Sequence, residues 1–180
     1  QENYIYENPR TDDFNSQSLR FDHTVTAKQR LMARYTRNDR RESRNAQLGE
    51  VNGVVPTGNF LFRKNDGVTV SHTWTQSNTS LWDFRGGWQR FREPNVRQHE
   101  GVFDPASLGF PPATLAQMGG AQYFPGVTFN TIRGIGDNLG GNTVHTIYSF
   151  QPTYTKLSGY HLIRACYDLR KYREFRGKPG

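Results

Sequence analysis

Residues 161–176, "HLIRACYDLRKYREFR", place the tightest constraint on what this chain can fold into. Ile163, Ala165, Tyr167 and Leu169 alternate there with Arg164, Cys166, Asp168 and Arg170. Successive strand side chains point to opposite sides, so alternation at period two specifies a strand with one apolar and one charged face. The same pattern occurs in six segments grouped as three pairs. "SQSLRFDHTV" and "RLMARYTRND" are joined by "TAKQ", and "GVTVSHTWT" and "SLWDFRGGWQRFRE" by "QSNT". "TVHTIYSFQPTYT" is joined to the 161–176 stretch by "KLSGY". A few polar or small residues between alternating runs suit hairpin turns. Hairpins are therefore expected over about 16–38, 67–93 and 143–174.

The connections between hairpins are long, spanning about 39–66 and 94–142. The second is rich in Gly and Pro, as in "FDPASLGFPPATLAQMGGAQYFPGV", where only "ASLGFPPATLAQM" has the pattern for a turn or two of helix. Loops of that length are uncommon in compact domains. Strands of about ten residues also exceed the usual five or six. No run approaches the roughly eighteen apolar residues of a transmembrane helix. Barrel strands, by contrast, cross a membrane with a far weaker signal, and outer-membrane barrels alternate short periplasmic turns with long extracellular loops.

Sorting by parity puts Leu19, Phe21, His23, Leu31, Ala33 and Tyr35 on one face. Val68, Val70, His72, Trp74, Trp82, Phe84, Gly86 and Trp88 continue it, followed by Tyr148, Phe150, Pro152, Tyr154 and the Ile163 row. Aromatic residues gather toward its ends at Tyr35, Trp74, Trp88 and Tyr154, where barrels carry interfacial girdles. The opposite face holds Arg20, Asp22, Arg34, Asp83, Arg85, Arg164, Asp168 and Arg170 among Thr69, Ser71, Thr73, Gln89, Gln151 and Thr153; Met32 and Ile147 interrupt it. Both charge signs in neighbouring rows require water or cross-pairing. A soluble sandwich with one dry and one solvated face explains the alternation equally well. It explains the strand length and uneven loops less well.

Aromatic content of 13% separates the chain from disordered sequences. Its charge, 23 Lys+Arg less 16 Asp+Glu or +7, permits a nucleic-acid or anionic-lipid partner without requiring one. The lone Cys166 excludes an internal disulfide and a multi-cysteine metal site. With neither a signal peptide nor an initiating Met, the sequence reads as an internal stretch of a longer chain.

Individual motifs favour ordinary structural roles. "RGIGDNLGG" has the glycines of a phosphate loop at Gly134, Gly136 and Gly140, but "NTVHTIYSF" follows it as a strand, not as the helix such a loop needs. His23, His72, His99, His145 and His161 lack metal-ligand spacing. His99, Glu100 and Asp104 could touch a cation, although ordinary loop polarity accounts for them. Cys166 has Arg164 two residues before it, which could depress its pKa, but a small inert side chain is the simpler account. No nucleophile sits in a strained turn, so catalysis is not expected. "WDFRGGWQRFRE" mixes arginine with aromatics as single-strand nucleic-acid platforms do. Alternation nevertheless separates Trp82, Phe84 and Trp88 from Asp83, Arg85 and Gln89. Arg90 does share the aromatic face, but at the strand end beside the long loop, where an outer-leaflet phosphate would lie.

"FDHTVTAKQRLMARYTRND", with its R-x-D strand, short turn and R-L-x-x-R-Y strand, resembles a hairpin of TonB-dependent outer-membrane receptors. "DFRGGWQRF", "FDPASLGFP", "YFPGVTF", "GDNLGGN" and "YSFQPTYTKLSGYHLIRACYDLR" look like the same family, in its order, and are most similar to the Oar-like branch. The resemblance covers roughly residues 14–176. It implies a twenty-two-stranded barrel around an N-terminal plug in a bacterial outer membrane, taking up a solute with energy from the inner-membrane TonB complex. The plug and TonB box lie outside these residues. The expectation is an all-β antiparallel meander of about six long strands, part of that barrel. Trp82, Phe84, Trp88, Ile163, Tyr167 and Leu169 would face outer-membrane lipid, and the eight charged residues would line the path of an unidentified solute or meet the plug. No cofactor, metal or nucleic acid is expected.

Overall fold

All three expected hairpins close through two-residue turns, with Thr26 opposite Gln29, Ser77 opposite Ser80 and Ser158 opposite His161. The first two turns, Ala27–Lys28 and Asn78–Thr79, contain no glycine, and the ladder beside each slips by one residue. Such a bulge adjusts strand twist where the turn itself cannot supply it. The third turn contains Gly159 at φ 59°, a left-handed conformation that glycine adopts at little cost, and its ladder stays in step.

The computed structural model describes residues 7, 9–44, 48–50, 57–132, 134–136 and 141–177. Its strands are β1 (Asp12–Thr26), β2 (Gln29–Arg44), β3 (Asn59–Ser77), β4 (Ser80–Arg97), β5 (Gly141–Ser158), β6 (His161–Cys166) and β7 (Leu169–Gly177). They form one antiparallel sheet in chain order, with β6 and β7 both on β5. The long connection carries a 3-10 turn at Pro105–Leu108, capped by Asp104 and starting one residue before "ASLGFPPATLAQM", and the helix α1 (Pro112–Gln117) inside that stretch. Most of "RGIGDNLGG" lies outside the described residues, but β5 follows it as expected.

Two expectations need correction. The sixth strand is divided, because Pro152 of β5 stands opposite Tyr167. The Tyr167 N–H still donates to the Pro152 carbonyl at 3.0 Å, but proline has no N–H to return the bond. Register is unchanged across the gap, from Thr153–Cys166 to Phe150–Leu169, so β6 and β7 continue one path. The strands are also longer than about ten residues, at 19 for β3 and 18 each for β4 and β5. Hairpins reach 12–44, 59–97 and 141–177, so the long connections shrink from 39–66 and 94–142 to 45–58 and 98–140. The added lengths are held by cross-strand charge, as in Lys64–Asp39 at 3.7 Å and Arg63–Glu93 at 2.9 Å, which leaves no apolar alternation to find.

Among the described residues no second sheet packs on the first, so the sandwich alternative lacks its facing layer there. Among the described residues only Leu61, Phe103 and Pro105 are buried apolar side chains, while Leu19 (71% exposed), Phe21, Val70, Phe150, Ile163 and Leu169 are open. Covering those six with an apolar medium is worth several kcal/mol, comparable with the whole stability of an ordinary domain. Expressed alone in water, the 180-residue chain is expected to aggregate or stay non-cooperative, and to gain strand circular dichroism in detergent micelles. A monodisperse aqueous monomer with a sharp melting transition would contradict this.

Candidate functional site: a two-faced wall with a charged rim

Register converts the apolar face from a pattern into rows. Gln29, Trp74, Trp82, Tyr154 and Ala165 stand side by side across five strands. The next row is His23, Leu31, His72, Phe84, Pro152 and Tyr167, followed by Phe21, Ala33, Val70, Gly86, Phe150 and Leu169. Leu19, Tyr35, Val68, Trp88, Tyr148 and Lys171 make the fourth. The girdle residues expected from sequence thus fall into two rows, Trp74 with Tyr154 and Tyr35 with Trp88. At roughly 3.3 Å per residue these rows lie about 20 Å apart along the strands, with aliphatic and phenyl side chains between them. Trp82 packs on Tyr154 and Phe84, with ring centroids 4.5 and 5.4 Å away. All six residues expected to face lipid, Trp82, Phe84, Trp88, Ile163, Tyr167 and Leu169, share this face.

The eight charged candidates share the opposite face but do not converge. Arg20 and Arg34 lie in one row with Thr69, Gly87, Ser149 and Arg170. Asp22 and Arg85 lie in the next with Ser71 and Gln151. Arg20 pairs with Asp22 at 2.6 Å, Arg170 with Asp168 at 2.9 Å, and Gln151 donates to Asp168 at 3.0 Å. Asp83 accepts from the Thr73 hydroxyl at 3.0 Å. Arg34, Arg85, Arg164 and Cys166 are exposed. Gly67 and Gly87 leave a depression in this face, because a Cβ at either would lie within 3.0 Å of Thr36 Oγ1 or Ser149 Oγ. His99, Glu100 and Asp104 are not gathered. His99 packs edge-on to Phe103 and Phe124, Glu100 approaches Arg97, and Asp104 caps the 3-10 turn.

Sequence reasoning missed a charge cluster at the loop-proximal end of the polar face. Glu42 has no exposed surface and meets Arg10, Arg44 at 2.5 Å, Arg63 at 2.5 Å and Arg40 at 3.3 Å. Arg40 also holds Asp12, and Arg63 holds Glu93. Both faces of "RNDRRESR" are polar, so apolar periodicity could not mark it as strand.

A family model for an outer membrane beta barrel domain matches residues 1–179. The chain belongs to this family. No curated protein and no solved structure matches it. Membership places the sheet in the bacterial outer membrane, as part of a larger closed barrel.

A transmembrane barrel strand crosses the bilayer with about nine to eleven residues. Strands of 18 and 19 residues therefore extend well beyond it, at the end where the apolar rows stop and the Glu42 cluster begins. Burial alone would raise the pKa of Glu42, but hydrogen bonds from Arg44 and Arg10, with the charges of Arg44 and Arg63, hold it below the ordinary glutamate range. A lowered folded pKa contributes stability that is complete above the unfolded value of about 4.3 and is lost as pH falls through the folded value. Replacing Glu42→Gln should cost about 1–3 kcal/mol at pH 7, reduced by the partial exposure of its arginines. In urea unfolding of the folded barrel, the gap between wild type and E42Q should close on acidification. A gap independent of pH would show that the carboxylate charge is not what the arginines hold.

Proposed function

We propose that this sheet is a stretch of the barrel wall of a TonB-dependent receptor of the Oar-like type, which takes up a solute across the outer membrane. The observation that carries the wall assignment is the pair of aromatic rows bracketing largely apolar rows on one face, set against a mostly polar face that Met32, Phe91 and Ile147 interrupt. The apolar face, including Trp82, Phe84, Trp88, Ile163, Tyr167 and Leu169, meets lipid. Arg20, Asp22, Arg34, Asp83, Arg85, Arg164, Asp168 and Arg170 look into the lumen, toward solute or plug. Their spread over several rows suits a path or a plug-bearing surface better than one tight pocket. The connections at 45–58 and 98–140 face the medium and take part in solute capture. Nucleic-acid recognition is disfavoured because Arg85 and Gln89 lie on the face opposite Trp82, Phe84 and Trp88, and Arg90 joins those rings only beyond the last of them, toward the strand end. TonB coupling is supported by the strand-and-turn motifs that occur in the order of that receptor family.

Spin labels placed singly at 163–170 in the complete barrel, on a Cys166→Ser background, test the wall. Collisions with oxygen should dominate at 163, 165, 167 and 169, and collisions with a water-soluble nickel chelate at 164, 166, 168 and 170. A uniform profile would sink the lipid-facing assignment. For the TonB half of the proposal, the complete protein should crosslink to the periplasmic domain of TonB in energised cells. Loss of all crosslinks while the barrel remains folded would leave a passive barrel.

A further inference from the structure

Immediately beyond the Tyr35–Trp88–Tyr148 row, on the same face, lies the row Arg37, Asp66, Arg90, Thr146 and Arg173. Three arginines stand on alternate strands, and neighbouring strands are about 4.8 Å apart, so the cations repeat at roughly 10 Å. Lys171 ends the row below, and Lys64 and Arg92 lie in the row above. The acids here are already engaged. Asp66 accepts from Tyr35 at 3.1 Å and from Arg92 at 2.7 Å, and Asp39 lies 3.7 Å from Lys64. Among the described residues no carboxylate comes within 4 Å of Arg37, Arg90, Lys171 or Arg173. The polar face beyond this height differs, since Glu174, Glu93, Glu42 and Asp12, further along the strands, each carry arginine partners.

Between Arg90 and Arg173 the surface forms an open groove, with Thr146 at its floor, Trp88 and Tyr148 on the apolar side and Val144 and Phe175 on the other; Glu174 also borders it, with its carboxylate engaged by Arg176. Guanidinium groups bind phosphate through charge and paired N–H donors, and a hydroxyl adds a third donor. Rings on the apolar side suit the part of a lipid where headgroup gives way to chain.

We propose that this groove binds the phosphate of an anionic lipid headgroup in the leaflet adjoining the charged rim, with Arg90 and Arg173 as its two cationic walls and Arg37 and Lys171 extending the same belt. The proposal rests on the apolar face meeting lipid. It explains why the excess positive charge sits on the outward face while the rim's other face is nearly paired. A free polyanion would have no need of the aromatic edge.

The test uses the complete barrel in vesicles, with Trp74→Phe and Trp82→Phe leaving Trp88 as reporter among these residues. Trp88 fluorescence is quenched by brominated phosphatidic acid or by brominated phosphatidylcholine. Wild type should select the anionic lipid about fivefold for each arginine engaged. Arg90→Gln with Arg173→Gln should bring selection near unity, Arg90→Lys with Arg173→Lys should keep most of it, and Arg176→Gln on the opposite face should leave it intact. Equal selection by wild type and the double glutamine variant would overturn the site while quenching persists. So would abolition of selection by millimolar inorganic phosphate, which would identify a free-anion site. Absence of quenching by either lipid would instead remove the lipid-facing reading beneath it.

Discussion

Backbone hydrogen bonding in hydrocarbon is the constraint on which the rest of this structure depends. No water is present there to satisfy an unpaired N–H or C=O, so a β-structure can cross only as an unbroken ladder closed on itself. The ladder from β1 to β6–β7 is continuous across six strand paths apart from the one-residue slips beside the first two turns, and the break between β6 and β7 follows from the missing N–H of Pro152. The Tyr167–Pro152 bond keeps even that joint in step. Among the described residues β1 and the β6–β7 path each pair on one side alone, so closure depends on strands beyond this sheet.

Once the ladder is fixed, side-chain chemistry divides by parity and by height. Parity separates Trp82, Phe84 and Trp88 from Asp83, Arg85 and Gln89. Height separates the apolar rows from a rim where both faces are charged. The rim is held by ion pairs instead of apolar contact, which suits a sheet standing in water on both sides. Glu42 is its most enclosed member because four arginines from the N-terminal segment, β2 and β3 reach one carboxylate.

Much of this was legible from residues alone. Alternation in 161–176 and its five counterparts located every strand centre, and the turn residues located every hairpin. Less legible were the strand ends, because hydrophobic periodicity carries no signal where both faces are polar, as in "RNDRRESR". The arginines of the rim were visible in the sequence, but Arg37, Arg90 and Arg173 are far apart in the chain. Only pairing through β3 and β5 puts them in one row.

The sequence by itself determined the strand type, the two unlike faces and the membership of each side chain in one of them, because the period of a strand is a local property of the backbone. Tertiary structure decided which residues share a row, where the apolar belt ends and which charges are already neutralised. Those depend on register, which hydrogen bonds between distant segments set. The enclosed Glu42 and the open Arg90–Arg173 groove both draw arginines from separate strands, but only at Glu42 does register set a carboxylate among them.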